Sequence, residues 1–280
     1  MRRCAATLTL CSALAVVGCA GASAGAAASA GGVPSLSLLR ERVGLTPLDV
    51  DVGEAQASGD SERQVVSLLL PSDQSALLDL YVDQEQAGAP YYGIVWPSAY
   101  ALARHVAARE NFEPFRGAAV LELGCGVGLA GIAAALTGAP RSVTLTDNDP
   151  LAVELSRLGA ERSGVGGVCT CAVVDWTDLA SWPECGYDCV LGADIIYESA
   201  ACEAIAALLE RTLRVGGSFV LADGRGRRNR RRLWELLLEG RGFELASEER
   251  HEAVTDVTDS PIEPGSDAAP VVLARFTKVK

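Results

Sequence analysis

The chain has 280 residues, 49% of them hydrophobic and 21% charged, and a formal net charge of −12 from 24 basic and 36 acidic side chains. These are the proportions of a globular protein, long enough for one large core or for a core with an N-terminal elaboration. The net charge repels nucleic acid and anionic membranes, so a polyanionic partner would need a local basic patch.

The first thirty residues stand apart. MRR is followed by CAATLTLCSALAVVGCAGASAGAAASAGG, with no further charge until Arg40. A basic start, an apolar stretch and Ala22-Ser23-Ala24 give residues 1–30 the character of a presequence, secretory or organellar, and Val16-Val17-Gly18-Cys19 resembles a lipoprotein cleavage box. Without such a segment the expected location is the cytoplasm. No later stretch is long and apolar enough to span a bilayer, so the mature chain is expected to be a soluble monomer.

Residues 31–90 read as an N-terminal extension. LLRERVGLTPLDVDV and RQVVSLLLP each hold a strand candidate, limited by Pro47 and Pro71. YYGIVWPS then leads into SAYALARHVAAREN, a helix with Pro97 in its first turn. From residue 118 the pattern becomes regular. AAVLELG, SVTLTD, VCTCAVVDW, YDCVLGADI and GSFVLAD are short apolar runs separated by the helical segments LAGIAAAL, PLAVELSRLGAERSG and CEAIAALLERTLR. Alternation of this kind builds βαβ units and a parallel sheet. After the helix NRRRLWELLLEG come GFELASEERHE and PVVLARFTKV with no helix between them, so these two strands should pair antiparallel. The expected α/β domain occupies 91–280.

The nine cysteines are Cys4, Cys11, Cys19, Cys125, Cys169, Cys171, Cys185, Cys189 and Cys202. None forms a C-x-x-C pair, and His105 and His251 are the only imidazoles. No metal site is expected, and the thiols read as core filling.

The turn VLELGCGVGLAGI (120–132) fits two ligands. Gly126-Val127-Gly128-Leu129-Ala130-Gly131 is a literal G-x-G-x-x-G with Asp147 about twenty residues on, the dinucleotide fingerprint. The same stretch reads Glu122-x-Gly124-x-Gly126-x-Gly128, the pattern of S-adenosylmethionine enzymes, and Glu122 is expected to help hold the ligand's ammonium directly or through water. A dinucleotide sets a pyrophosphate at the helix N-terminus, whereas the methyl donor brings a zwitterion and a sulfonium. Downstream, Asp147 suits ribose hydroxyls in either case. Trp176 offers an indole face to an adenine, with Asp175 as acceptor for its amine. YDCVLGADIIYES carries Asp194 and Tyr197 to the C-terminal end of a strand, the rim where open α/β sheets bind ligands.

WPSAYALA, VLELGCGVGLAGI, TLTDND, DW and YDCVLGADIIYE occur in this order. Together they resemble the class I S-adenosylmethionine-dependent methyltransferases, in particular the D-x-x-Y protein lysine methyltransferases of the electron-transfer flavoprotein β type. The resemblance covers about residues 90–245. It implies a Rossmann-like, doubly wound, mostly parallel seven-stranded sheet with an antiparallel C-terminal hairpin. It also implies Trp96 bordering the cofactor, Gly124, Cys125 and Gly126 along its methionine portion, Asp147 at the ribose, Trp176 at the adenine and Ala193 beside the methyl group. Asp194 and Tyr197 match the signature: Asp194 would orient the substrate amine and Tyr197 shape its channel. One departure is Gly224 in LADGRGR, where proline is expected, and it bears on the substrate.

The expected function is methyl transfer to a lysine of a protein. A small-molecule or nucleic-acid methyltransferase is the alternative, and a nicotinamide-dependent oxidoreductase the reading from another class. RGRRNRRR (225–232) is expected to dock an acidic surface of the substrate; it also keeps nucleic acid open as a partner.

Overall fold

The computed structural model describes residues 34–55, 62–86, 88–108, 111, 114–224, 227–251 and 270–280; the expected presequence lies outside them. Helix α1 (Leu36–Arg42) begins where the Ser35 hydroxyl accepts the Leu38 N–H at 3.2 Å. Strands β1 (Leu45–Ala55) and β2 (Glu62–Pro71) pair antiparallel from Leu45↔Pro71 to Ala55↔Glu62. The sequence offered only strands here, and LLRER folds instead as helix ahead of β1. Pro47 sits inside β1 opposite Leu69. A two-stranded ribbon leaves each strand an open edge, where a missing N–H is tolerated. Helix α2 (Gln74–Asp83), which the sequence reading did not include, is capped by Asp73, whose carboxylate accepts the Ser75 and Ala76 N–H groups at 2.8 and 2.9 Å. A 3-10 turn at Tyr91–Gly93 leads to α3 (Pro97–Ala107), with Pro97 in its first turn as expected.

The remaining elements are β3 (Ala119–Leu123), α4 (Leu129–Thr137), β4 (Ser142–Asp147), α5 (Pro150–Arg162), β5 (Cys169–Val173), β6 (Tyr187–Ala193), α6 (Ala201–Thr212), β7 (Leu213–Asp223), α7 (Arg227–Glu235), β8 (Phe243–His251) and β9 (Val271–Lys278). They include a seven-stranded sheet in the order β5-β4-β3-β6-β7-β9-β8. The first five of these strands run parallel, and β9 is antiparallel to both β7 and β8. The doubly wound sheet and its antiparallel tail are those anticipated. A π-helical turn, Leu236–Gly240, follows α7 and seats Leu237 in the core.

Side chains alternate across the sheet into two apolar layers. Cys189 and Leu191 of β6, with Val220 and Ala222 of β7, face the layer containing α3, α4 and α5. Val190, Phe219 and Leu221 face α6 and α7. β3 is buried along its whole length, as a central strand covered on both faces must be. The β1–β2 hairpin joins the first layer: Leu48, Val50, Val66 and Leu68 belong to the cluster that holds Ile132 and Leu155. The Ser67 N–H donates to the Ser163 hydroxyl at 2.9 Å, just past the end of α5. Among the described thiols Cys125, Cys189 and Cys202 are buried as expected, Cys169 and Cys171 are half-buried near the β5 edge, and Cys185 is exposed.

Leu68 is fully buried, so Leu68→Ala should lower stability by about 2–5 kcal/mol. Urea unfolding should remain one transition by circular dichroism and by tryptophan fluorescence. A separate early step for the hairpin would show that it does not share the core.

Candidate active site

From β3 the sheet continues to β4 on one side and β6 on the other. This reversal opens a crevice at the C-terminal ends of β3 and β6. Residues read as functional follow those ends: Gly124 after β3, Asp147 at the end of β4, Asp175 and Trp176 after β5, Ala193 and Asp194 at β6.

Backbone lines the turn between β3 and α4. Gly124 and Gly126 have φ of +59° and +54°, in the left-handed region that side chains disfavour. A Cβ on Gly124 would lie 2.8 Å from Ile195 Cγ2, so the bare glycine lets Ile195 pack against the turn, while at 3.5 Å from the Trp176 ring it would make an ordinary contact. Cys125 between them is buried, and burial pushes its thiol up. Gly131 serves packing: a Cβ there would stand 2.3 Å from Leu145 Cδ2 and 2.6 Å from Glu122 Oε2.

Glu122 corrects the sequence reading. It does not reach the open rim; it is 2% exposed, and Oε2 accepts the Gly131 N–H at 2.8 Å. That N–H is one of the orphan donors in the first turn of α4, whose N-cap Gly128 supplies no side chain. Burial raises the Glu122 carboxyl to about 8, against the pull of the Gly131 N–H. A motif shows that an acid is present, but not which way it faces.

Asp147 bridges strand ends, its Oδ2 accepting the Gly126 N–H at 2.8 Å and its Oδ1 the Asp149 N–H at 3.1 Å. Burial raises it to about 6 despite these donors. Asp149 caps α5 through the Leu151 N–H at 2.8 Å and accepts the Tyr81 hydroxyl, and burial raises it too. The Tyr81 and Tyr92 oxygens are 3.2 Å apart. Each phenol has one proton, which orders the chain as Tyr92 to Tyr81 to Asp149. Burial and the neighbouring acid raise both phenols well above their usual range, so both stay protonated.

On the far side of the crevice, Asp175 Oδ1 accepts the Thr177 N–H and hydroxyl at 2.8 and 2.7 Å. The half-buried Trp176 is held through its carbonyl by Trp182 Nε1 at 3.1 Å. Trp96 caps α3 and donates from Nε1 to the Tyr91 carbonyl at 3.1 Å. The Tyr91 ring centroid lies 6.4 Å from that of Trp96 and 5.5 Å from that of Tyr197. Tyr91 was missed in the sequence; its signal was the aromatic density of YYGIVW in a chain with 5% aromatic residues. Tyr197 is 52% exposed. Desolvation of its packed side, then the charges of Glu198 and Asp147, raise its phenol to about 12, which leaves it neutral.

Ala193 is half-buried at the end of β6, paired with Ala222. Asp194 follows at φ +53°, with its N–H on the Ala222 carbonyl at 2.9 Å and its Oδ1 accepting the Gly224 N–H at 3.1 Å. Asn229 Nδ2 donates to the Ile196 carbonyl at 2.7 Å and ties the Asp194–Tyr197 turn to α7. The arginine run proves mixed. Arg225 and Gly226 lie outside the described residues. Arg230 does not face solvent as a docking cation: its guanidinium is paired with the buried Asp223 at 2.8 Å. Arg231, 84% exposed, pairs with Glu235, and Arg232 pairs with Glu203 at 3.5 Å. Among the described residues no group of three His, Cys, Asp or Glu is placed to hold a metal ion.

Comparison with known proteins agrees with this architecture. The family model described as lysine methyltransferase matches residues 75–238. The electron transfer flavoprotein beta subunit lysine methyltransferase of Danio rerio is 34% identical over 139 residues, which are 49% of this chain and 51% of that protein. Protein N-lysine methyltransferase METTL21A of Danio rerio is 36% identical over 148 residues, 51% of this chain and 66% of that protein. The chain thus spans about half the length of the first relative and 66% of the second. A crystal structure from Pyrococcus horikoshii, assigned as an RNA methyltransferase, superposes with a TM-score of 0.51 at 17% identity over 65% of this chain and 84% of that one, a likeness of fold.

Tyr81→Phe removes the phenol donor from Asp149. It should lower stability by about 2 kcal/mol in urea unfolding, because the lost bond serves a desolvated carboxylate. Tyr92→Phe removes only the outer link and should cost less.

Proposed function

The chain belongs to the lysine methyltransferase family, and we propose that it transfers a methyl group from S-adenosylmethionine to the side-chain amine of a lysine in a protein substrate. The observation that carries the choice of cofactor is the charge around the glycine turn. Asp147 and Asp149 stand beside it, and the charge of Asp149 adds to the rise of Asp147, whereas Glu122, raised to about 8 by burial, holds its proton. A pyrophosphate placed here would meet like charge, whereas a sulfonium with an ammonium meets opposite charge. Glu122 also occupies, from inside, the amide that an incoming phosphate would use at the N-terminus of α4.

When bound, the cofactor supplies a methyl group already activated for in-line displacement. The protein's share is alignment and desolvation. The backbone of Gly124, Cys125 and Gly126 would hold the methionine portion, Asp147 the ribose, and Trp176 with Asp175 the adenine. Trp96 and Ala193 would close the space beside the methyl group.

A lysine ammonium has no lone pair, and an unperturbed lysine has a pKa of about 10.4. The amine must therefore be deprotonated before it attacks. A carboxylate beside it opposes that loss by favouring the charged form. Asp194 is accordingly an orienting group and a stabiliser of the methylated ammonium rather than a simple general base. Tyr197, neutral and half-exposed beside Tyr91, gives the channel an aromatic wall for the lysine stem and its cation. Arg231 and Arg232 on α7 are the described remainder of the basic patch on which an acidic substrate surface would dock.

Incubation with methyl-labelled cofactor and a cell lysate tests the reading: label should enter a protein at lysine, located by mass spectrometry. Label in nucleic acid or in small molecules alone would contradict it. Asp194→Asn should lower kcat by about 100-fold, the scale expected for lost alignment, while cofactor affinity changes little.

A pH titration examines the acids. Because Asp147 titrates at about 6, lowering the pH through that value replaces its charge with a proton and weakens it as an acceptor. Affinity for S-adenosylhomocysteine should therefore fall between pH 7.5 and 5, and Asp147→Asn should flatten the dependence around pH 6.

A further inference from the structure

Aromatic residues make up 5% of the chain, yet three of them meet at the rim of the crevice. The Tyr91 ring neighbours both Trp96 and Tyr197, with centroids 6.4 and 5.5 Å away and planes tilted by 58° and 50°. Tyr91 and Trp96 are half-buried and Tyr197 is exposed, whereas Tyr92 and Tyr100 are buried as core aromatics are. Tyr197 lies three residues past Asp194, and after desolvation the groups that act on its phenol are Glu198, Asp147, Tyr91 and Asp175. A Cβ on Gly126 would stand 3.8 Å from Tyr92 Cα, so the backbone beside Tyr91 lies against the glycine turn. We infer that Tyr91 determines how far methylation proceeds: its ring, with those of Tyr197 and Trp96, takes up the methylated ammonium and sustains transfer to an amine that already carries methyl groups. This assignment rests on the lysine methyltransferase reading and gives that site a preference among methylation states.

An unmethylated lysine ammonium has three N–H donors, and each transfer replaces one of them with a methyl group. Each transfer forms an N–C bond from the amine's lone pair as the S–C bond of the methyl donor breaks, its electrons remaining on sulfur. The product ammonium then gives a proton to water before the next transfer. A dimethylated amine, once deprotonated, has no N–H left. Asp194 can therefore orient the first amine by hydrogen bonds but loses its hold as methyl groups accumulate. A ring face gains over the same sequence, because it attracts a cation without needing an N–H, as in the recognition of quaternary ammonium groups.

The Tyr91 ring is held before a substrate arrives. Tyr91 opens a 3-10 turn whose Gly93 carbonyl accepts Gln74 Nε2 at 2.6 Å and whose Tyr92 hydroxyl lies 3.2 Å from that of Tyr81. Both partners belong to α2, which thus fixes the turn from behind. The Tyr91 carbonyl accepts Trp96 Nε1 at 3.1 Å, which couples two of the three aromatic residues.

The test uses the full chain with Tyr91→Phe, which keeps the ring, and Tyr91→Leu, which removes it. Given excess S-adenosylmethionine and the lysate protein that accepts label, the native chain and Tyr91→Phe should carry lysine to the trimethylated form, read by mass spectrometry. Tyr91→Leu should slow the third transfer at least about three-fold more than the first, the scale of one cation–π contact, while S-adenosylhomocysteine still binds. A native chain that stops at monomethyl-lysine, or a Tyr91→Leu chain that slows all transfers alike, would overturn the inference.

The rings are also tested without turnover, by NMR of Nα-acetyl-lysine methylamide and its Nε-trimethyl form, each added to the chain with S-adenosylhomocysteine bound. The native chain should bind the trimethyl form more tightly and shift its methyl protons upfield through the ring currents. Tyr91→Leu should lower that preference at least about three-fold, and Tyr91→Phe should keep it. Should Tyr91→Leu fail to fold, Tyr91→pentafluorophenylalanine takes its place, because fluorine withdraws the negative charge of the ring face and keeps its shape. Equal binding of the two probes to the native chain, or a preference that survives loss of the ring face, would overturn the inference. Should the native chain transfer no methyl group to protein, the functional reading fails, and the two probes still decide whether these rings receive a methylated ammonium.

Discussion

Three carboxylates lie close together around the glycine turn, and the surrounding fold supplies them with donors that carry no charge. Glu122 takes the Gly131 amide, Asp147 takes those of Gly126 and Asp149, and Asp149 takes the Leu151 amide and the Tyr81 phenol. Burial raises all three, and mutual repulsion adds to it for Glu122 and Asp147. Several parts of the architecture follow from this need. The left-handed Gly126 aims its amide at Asp147, α4 and α5 begin where their orphan N–H groups can be accepted, and α2 lies where Tyr81 reaches the N-cap of α5. The N-terminal elements thus contribute a donor to the site as well as apolar surface to the core.

Among the described residues no base pairs with these acids, which has a consequence for binding. A lysine or arginine in the seam would relieve the repulsion more fully than amides do, but it would also neutralise the field that a cationic ligand meets. Uncharged donors stabilise Asp147 and Asp149 locally and leave their field in place, while Glu122 holds its proton. The literal G-x-G-x-x-G is misleading for the same reason. In a dinucleotide site the helix N-terminus is open to phosphate, and here Glu122 already takes one of its amides from below.

From residue 118 onward the fold was legible because each strand is a short apolar run and each helix carries its own period, so that local pattern and buried faces agree. The strands β8 and β9 were legible from the lack of a crossover helix between them. Residues 31–90 were harder. Pro47 argues against a strand unless the strand has an open edge, and that edge is a property of the ribbon rather than of the segment. The candidate site divided along the same line. Asp147 and Asp194 could be assigned to strand ends and Trp176 to the loop after β5, because each follows a short apolar run. Glu122 lies one residue inside β3, and its direction depended on the small Gly131 across from it. Arg230 looked like part of a solvent-facing run because the run is continuous in sequence, whereas helical spacing turns one of its members onto Asp223.

The two acids that bracket the proposed chemistry show how position decides what a carboxylate can do. Glu122, inside a strand covered on both faces, meets the cost of burial largely by holding its proton, titrating at about 8, and serves as a structural cap. Asp194, one residue beyond a strand in the same sheet, lies in a left-handed turn that carries the carboxylate to the rim, half-buried and bonded to a backbone amide. That turn is unfavourable for an aspartate on its own, and it persists because β7 and α7 hold it on both sides. Rigidity at this point comes from the pairing with Ala222, the Gly224 amide and the Asn229 side chain, all in place before a substrate side chain enters. An amine can then meet an acid whose orientation was set before it arrived, so that little of its binding energy is needed to arrange the site.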